Sequence, residues 1–168
     1  MIEPMIEPIF VILGILASVA IPRLAATRED AEISAAVANL RTLVSDASAY
    51  YVAKGDFAGA KWNDITNVPL ASANGAATAV NAATNAVHNA ATAHLKVGGK
   101  GCIGVHLVNK TATAPAHIRF TTPTNNDSVC QQVRSKAPVT AYTNSKVPNG
   151  NGQTIPNAIA IGSNTSIY

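Results

Sequence analysis

From Ile9 to Ile21 the chain runs without a charged residue and without an apolar period: "IFVILGILASVAI" is greasy on every side of a helix. A helix buried in an ordinary core carries a polar stripe, so this run needs apolar surroundings all round it, either lipid or copies of itself. It is shorter than the roughly 18–20 apolar residues of a spanning helix. The Lys- or Arg-rich stretch that precedes a signal-peptide core is replaced here by "MIEPMIEP". Beyond Pro22 a period appears: Ile33, Val37, Leu40, Val44, Ala47 and Tyr51 recur at spacings of four and three, the stripe of an amphipathic helix. "TREDAE" turns Arg28, Glu29, Asp30 and Glu32 to solvent, and Gly55 after Lys54 supplies a left-handed cap. The pattern predicts one helix of about fifty residues, softened between Gly14 and Pro22, where glycine lowers helix propensity and proline removes a backbone donor.

After Gly55 the chain reads as loop, with turn chemistry at Asp64 and Pro69 and the only tryptophan, Trp62, as a packing anchor rather than a binding platform. Residues 71–96 are biased to Ala, Asn and Thr and half-repeat as "NAATNAVHNAATAH"; a partly helical connection is expected, with Val80, Val87 and Leu95 on a thin apolar face. From Gly101 the period becomes two. "CIGVHLVN" and "AHIRFTT" turn Ile103, Val105, Leu107, Ile118 and Phe120 inward and His106, His117 and Arg119 outward, as paired antiparallel strands. "DSVCQQVRS" reads as a third strand or turn, "APVTAYTN" as a fourth strand, and "IPNAIAIGS" as a last short one after the loop "PNGNGQ". The expected fold class is α+β: one long N-terminal α-helix, apolar in its first half and amphipathic in its second, packed on a small antiparallel sheet that covers the Ile33–Tyr51 stripe. The expected division is an apolar segment, 1–23, and a globular head, 24–168. The head comprises helix 24–54, connection 55–100, and sheet and C-terminal region 101–168.

Length and composition keep this to one ordinary domain plus one special segment: 168 residues, 48% hydrophobic and only 12% charged. Eight of the nine acids precede residue 65 and seven of the twelve bases follow it, so the front is acidic and the back basic. A net charge of +3 is too weak by itself to argue for nucleic acid, and the split suits complementarity between copies. Cys102 and Cys130 form no CxxC spacing, which argues against a redox motif and a zinc site and leaves one bridge or two free thiols.

No catalytic constellation emerges. His106 and His117 could face each other on adjacent strands, but a metal site wants a third ligand and the one nearby acid is Asp127. They read as surface histidines. No serine has a histidine and acid in a recognisable order, no glycine-rich loop follows a strand, and the acids of "RED" lie on an exposed helix turn. The chain is expected not to be an enzyme and to need no cofactor, metal or small-molecule substrate. Asn-x-Ser/Thr triplets at Asn109, Asn126 and Asn164 arise readily by chance in so Asn- and Thr-rich a chain.

"FVILGILASVAIPRLAATREDAEISAAVANL" resembles the N-terminal segment of type IV pilins, the subunits of bacterial pilus filaments, over about forty-five residues. Gly14 and Pro22 sit where that family has a glycine and a helix-softening proline. The resemblance implies a disulfide between Cys102 and Cys130 that staples the C-terminal region. It implies a helical homopolymer packed through Ile9, Phe10, Val11, Ile12, Leu13, Ile15, Leu16, Val19 and Ile21, with heads outside. The further partners it implies are the inner membrane before assembly, the pilus assembly machinery, and DNA or host and abiotic surfaces. It places the finished filament outside the bacterial cell. At the start the pattern departs: Glu7 lies two residues too close to Gly14 for the family's glutamate and Glu3 two too far, and Pro8 is unexpected. A carboxylate among apolar side chains costs several kcal/mol unless a cation meets it. The amino group of Met1 on a neighbouring copy would be that cation, making Glu7 or Glu3 a check on subunit register; equally, acids suit the positive end of a helix dipole at a solvated terminus. Two alternatives stand beside the pilus subunit. One is a type II secretion pseudopilin, which usually lacks the C-terminal disulfide. The other is a monomeric membrane-anchored module whose Lys96, Lys100, Lys110, Arg119, Arg134, Lys136 and Lys146 hold DNA or an acidic surface.

Overall fold

The computed structural model of the chain describes residues 6–71, 93–123 and 127–162, and the side chains within them except those of residues 6, 7 and 19–25. The elements run α1 (Ile6–Lys54), α2 (Trp62–Ile65), β1 (Leu70–Ala71), β2 (Ala93–Val97), β3 (Lys100–Val108), β4 (His117–Thr121), α3 (Ser128–Ser135), α4 (Ala137–Thr143), β5 (Lys146–Asn149), β6 (Gln153–Pro156) and β7 (Ala158–Ala160). The class is α+β with a long N-terminal helix and an antiparallel sheet of five strands, ordered β1-β2-β3-β4-β7; β5 and β6 form a separate hairpin around the "GNG" turn. The chain divides into two units, Met1–Glu32 and Ile33–Tyr168.

In the first unit α1 begins at Ile6, so Pro8 falls in the first turn, where its missing N–H would have no intrahelical partner anyway. α1 stays helical through Gly14 and Pro22. The softening expected there is therefore a lost hydrogen bond and a low-propensity residue, not a break.

In the second unit the helix buries Ile33, Ala36, Leu40, Leu43 and Ala47, with Val37, Val44, Tyr50 and Tyr51 half-buried beside them. Steps of three and four alternate, which keeps the stripe on one side of a 3.6-residue helix. Gly55 ends it at φ +84°, its N–H donating to the Tyr51 carbonyl at 2.7 Å, as a left-handed cap requires. The chain then folds back: Phe57 is fully buried, its ring 6.1 Å from that of Tyr50 and 5.2 Å from that of Tyr51. The Phe57 N–H donates to Asn109 Oδ1 at 2.8 Å, so this asparagine ties the end of the long helix to the strand 3–4 connection.

Period-two alternation places Ala93, Leu95, Ile103, Val105, Leu107, Ile118, Phe120 and Ile159 on one sheet face. The pairs Leu95–Ile103, Ala93–Val105, Val105–Phe120, Leu107–Ile118 and Ile118–Ile159 set the register. These residues and the α1 stripe form one hydrophobic core, closed by Phe57 and Trp62. Trp62 is thus the packing anchor its surroundings suggested.

Several expectations are corrected. "DSVCQQVRS" is helix α3, not a strand: Asp127 caps it, accepting from the Val129 N–H at 3.1 Å, and the buried pair Cys130 and Val133 follows helical spacing. "APVTAYTN" is helix α4, with Pro138 in its first turn, where proline favours helix initiation. Ala93–Val97 is strand rather than part of a helical connection, so Leu95 points into the sheet core; Val80 and Val87 lie outside the described residues. His117 is buried, its Nδ1 2.8 Å from the Pro115 carbonyl, and is not a surface histidine.

Candidate functional site

Ile9, Phe10, Val11, Ile12, Leu13, Ile15 and Leu16 are each 55–68% exposed. They point to every side of α1, and no polar side is left for water: between Phe10 and Ser18 the only polar side chain is that of Ser18 itself. Its hydroxyl donates to the Ile15 carbonyl at 2.7 Å and so turns back onto its own helix. A Cβ on Gly14 would meet nothing within 4 Å, so the notch in this surface stands open. Val19, Ile21 and Pro22 continue the helix, their side chains outside the described set; Glu7 lies in its first turn with its side chain likewise outside, and Met1 and Glu3 lie outside the described residues altogether. Among the described residues no helix is long and apolar enough to cross a membrane.

The apolar run gives way to charge. Arg28 Nε pairs with Glu32 Oε1 at 3.2 Å, an i,i+4 pair worth at most about 0.5 kcal/mol at this exposure; Glu29 and Asp30 are exposed beside it. Met1–Glu32 carries five acids against two bases, and the remainder four acids against ten bases. The two units therefore have opposite net charge, −3 and +6.

Cys102 on β3 and Cys130 on α3 are joined by a disulfide, both fully buried, with Cα atoms 4.9 Å apart. Polar contacts that the sequence did not advertise surround this staple. Lys100 pairs with Asp127, and Arg134 donates to the carbonyls of Cys102 at 2.8 Å and Pro123 at 3.3 Å. The hydrogen bond from Lys100, helped by the Val129 N–H and the ammonium charge, holds the Asp127 carboxyl below the ordinary carboxylate range. An Asp three residues before a Cys, opposite a Lys two residues before its partner, was the available signal.

His106 and His117 share a sheet face but sit diagonally: His106 faces Arg119 and His117 faces Val108. Among the described residues no group of three or more His, Cys, Asp or Glu could hold a metal. Asn109 of the first sequon is committed to the Phe57 N–H, and Asn126 and Asn164 lie outside the described residues. Burial, then the Arg119 and His94 charges, push the His106 pKa below its ordinary 6.5. The unfolded chain therefore binds the extra proton first. The head is expected to lose stability as pH falls from 6.5 through the lower folded-state value, and His106→Gln to flatten that loss. Urea midpoints at pH 7.5 and 5 read both.

No protein-family model, curated protein or solved structure matches this chain.

Proposed function

We propose that this chain is a structural subunit of a type IV pilus filament, polymerising through Ile9–Ile21. The reading rests on seven large apolar side chains exposed on all sides of one helix. A single copy has no way to bury such a surface, whereas a bundle of identical helices covers all of it. At roughly 1.5–3 kcal/mol per Leu, Ile or Val, the segment offers on the order of 15 kcal/mol gross before the costs of ordering and association. Before assembly the same segment sits in the inner membrane, from which the assembly machinery draws it. Glu7, met by the amino terminus of the next copy, sets the register. The opposite net charges of the two units support contacts between the acidic collar of one copy and the basic head of another. The filament then serves adhesion, motility or DNA uptake.

The buried disulfide supports the pilus subunit over a secretion pseudopilin. Negative-stain micrographs of the full chain, expressed with pilus assembly machinery and sheared from cells, test the reading. Thin fibres containing the chain are expected; a preparation holding the folded chain only as single particles refutes it.

A further inference from the structure

Between α1 and the start of α4 the head carries a groove of about 320 Å³, lined by Ile33, Ser34, Val37, Lys136 and Pro138. Its floor is apolar: Ile33 belongs to the buried core, and Val37 and Pro138 are half-buried. Its rim is polar, since Ser34 and Lys136 are exposed. The ion pairs found among the described residues are Arg28–Glu32 and Lys100–Asp127, so the Lys136 ammonium has no carboxylate there. Protein interfaces share this arrangement of apolar centre and polar rim.

The complementary surface lies on the same chain. Residues 26–31 of α1 are exposed, and the carboxylates of Glu29 and Asp30 have no cation among the described residues. Ala26 and Asp30 are four residues apart and so share one side of the helix. The alanine lets a neighbouring element approach closely, and the aspartate reaches past it toward a cation. A copy slid seven residues along its neighbour, about 10 Å at 1.5 Å per residue, sets its Ala26 beside Ile33 and its Asp30 beside Val37. Residues 9–14 of its apolar run then lie beside residues 16–21 of the other, so contact through Ile9–Ile21 is kept. Each copy offers one acidic segment and one groove. A contact between unlike surfaces of identical chains need not close into a ring and can repeat as a helical filament.

We propose that this groove docks residues 26–30 of a neighbouring copy, with Ala26 against the apolar floor and the Asp30 carboxylate, with Glu29 beside it, on the Lys136 ammonium. The inference rests on the filament reading above and names where the acidic segment of one copy meets the head of the next.

Two chains are co-expressed with pilus assembly machinery, one carrying Asp30→Cys and the other Lys136→Cys, and the sheared fibres are run without reductant. A disulfide-linked dimer of the two different chains, identified by mass, is expected. Asp30→Cys paired with Val52→Cys, an exposed position in the last turn of α1, gives none. Lys136→Glu sets like charges together and lowers the pelleted fraction roughly tenfold, and Glu29→Lys with Asp30→Lys in the same chain restores it. Wild-type fibres whose cysteine pair gives no more dimer than the control overturn the docking and leave the filament reading standing. Full fibre yield from Lys136→Glu does the same. Should the cysteine chains fail to assemble, the charge reversal and its restoration decide. A wild-type chain that forms no fibre overturns both readings.

Discussion

Leu16→Asp is expected to abolish the proposed fibre formation and to leave the head folded. Leu16 is 61% exposed and is not among the residues of the hydrophobic core, so the head is expected to keep its packing when it changes. In a bundle of apolar helices the same change removes roughly 1.5–3 kcal/mol of burial and introduces a carboxylate whose burial costs several kcal/mol without a cation. In the proposed filament the effect multiplies, because every copy would carry the charge and each segment would meet several others. Sedimentation of sheared material gives the yield, and near-UV circular dichroism with a thermal scan gives the state of the head. The expected result is no pelletable fibre above background with the unfolding midpoint unchanged. Wild-type fibre yield would refute packing through this segment, and a lowered midpoint would show that Leu16 belongs to the head.

The parts of this fold legible in the sequence are those whose period is set locally. The long helix announced itself because Ile33, Leu40 and Ala47 recur every seven residues, and all three are buried. Ala36 and Leu43 are buried where the pattern of large residues points to Val37 and Val44, their half-buried neighbours on the same stripe. Ile103, Val105 and Leu107 alternate strictly, and β3 and β4 follow from that. Misreadings came where two periods overlap. In "SVCQQV" Val129 and Val133 fit a strand and Cys130 and Val133 fit a helix; the Asp127 cap decides, outweighing the β-propensity of valine. β1 is two residues long and exists through its pairing of Leu70 with Leu95 and of Ala71 with His94, which no local pattern encodes. His117 looked outward because histidine is polar, but the carbonyl of Pro115 satisfies its ring inside. The apolar run was legible from composition alone, because its significance is that it has no period.

Removing the Cys102–Cys130 bridge destabilises the head by about 3–4 kcal/mol. The two residues lie 28 apart, and closing a loop of that size in the unfolded chain removes about that much entropy in the chain-entropy model. Alanine is the right replacement at both positions. Both are fully buried, and a serine hydroxyl there would add about 1–3 kcal/mol for each donor left without an acceptor, confusing the result. The native contacts around the bridge survive the change: Asp127 still caps α3 and pairs with Lys100, and Arg134 still reaches the Cys102 backbone carbonyl. The double variant is therefore expected to reach the same fold from a less constrained unfolded state. With a urea slope of about 1–3 kcal/mol/M, the midpoint falls by about 2 M. The drop in midpoint appears equally when the unmodified chain is unfolded under reducing conditions, and the reduced chain and the double variant agree with each other. A midpoint that moves by less than about 0.3 M would mean that the surrounding ion pair and cap, not the covalent link, hold α3 against β3.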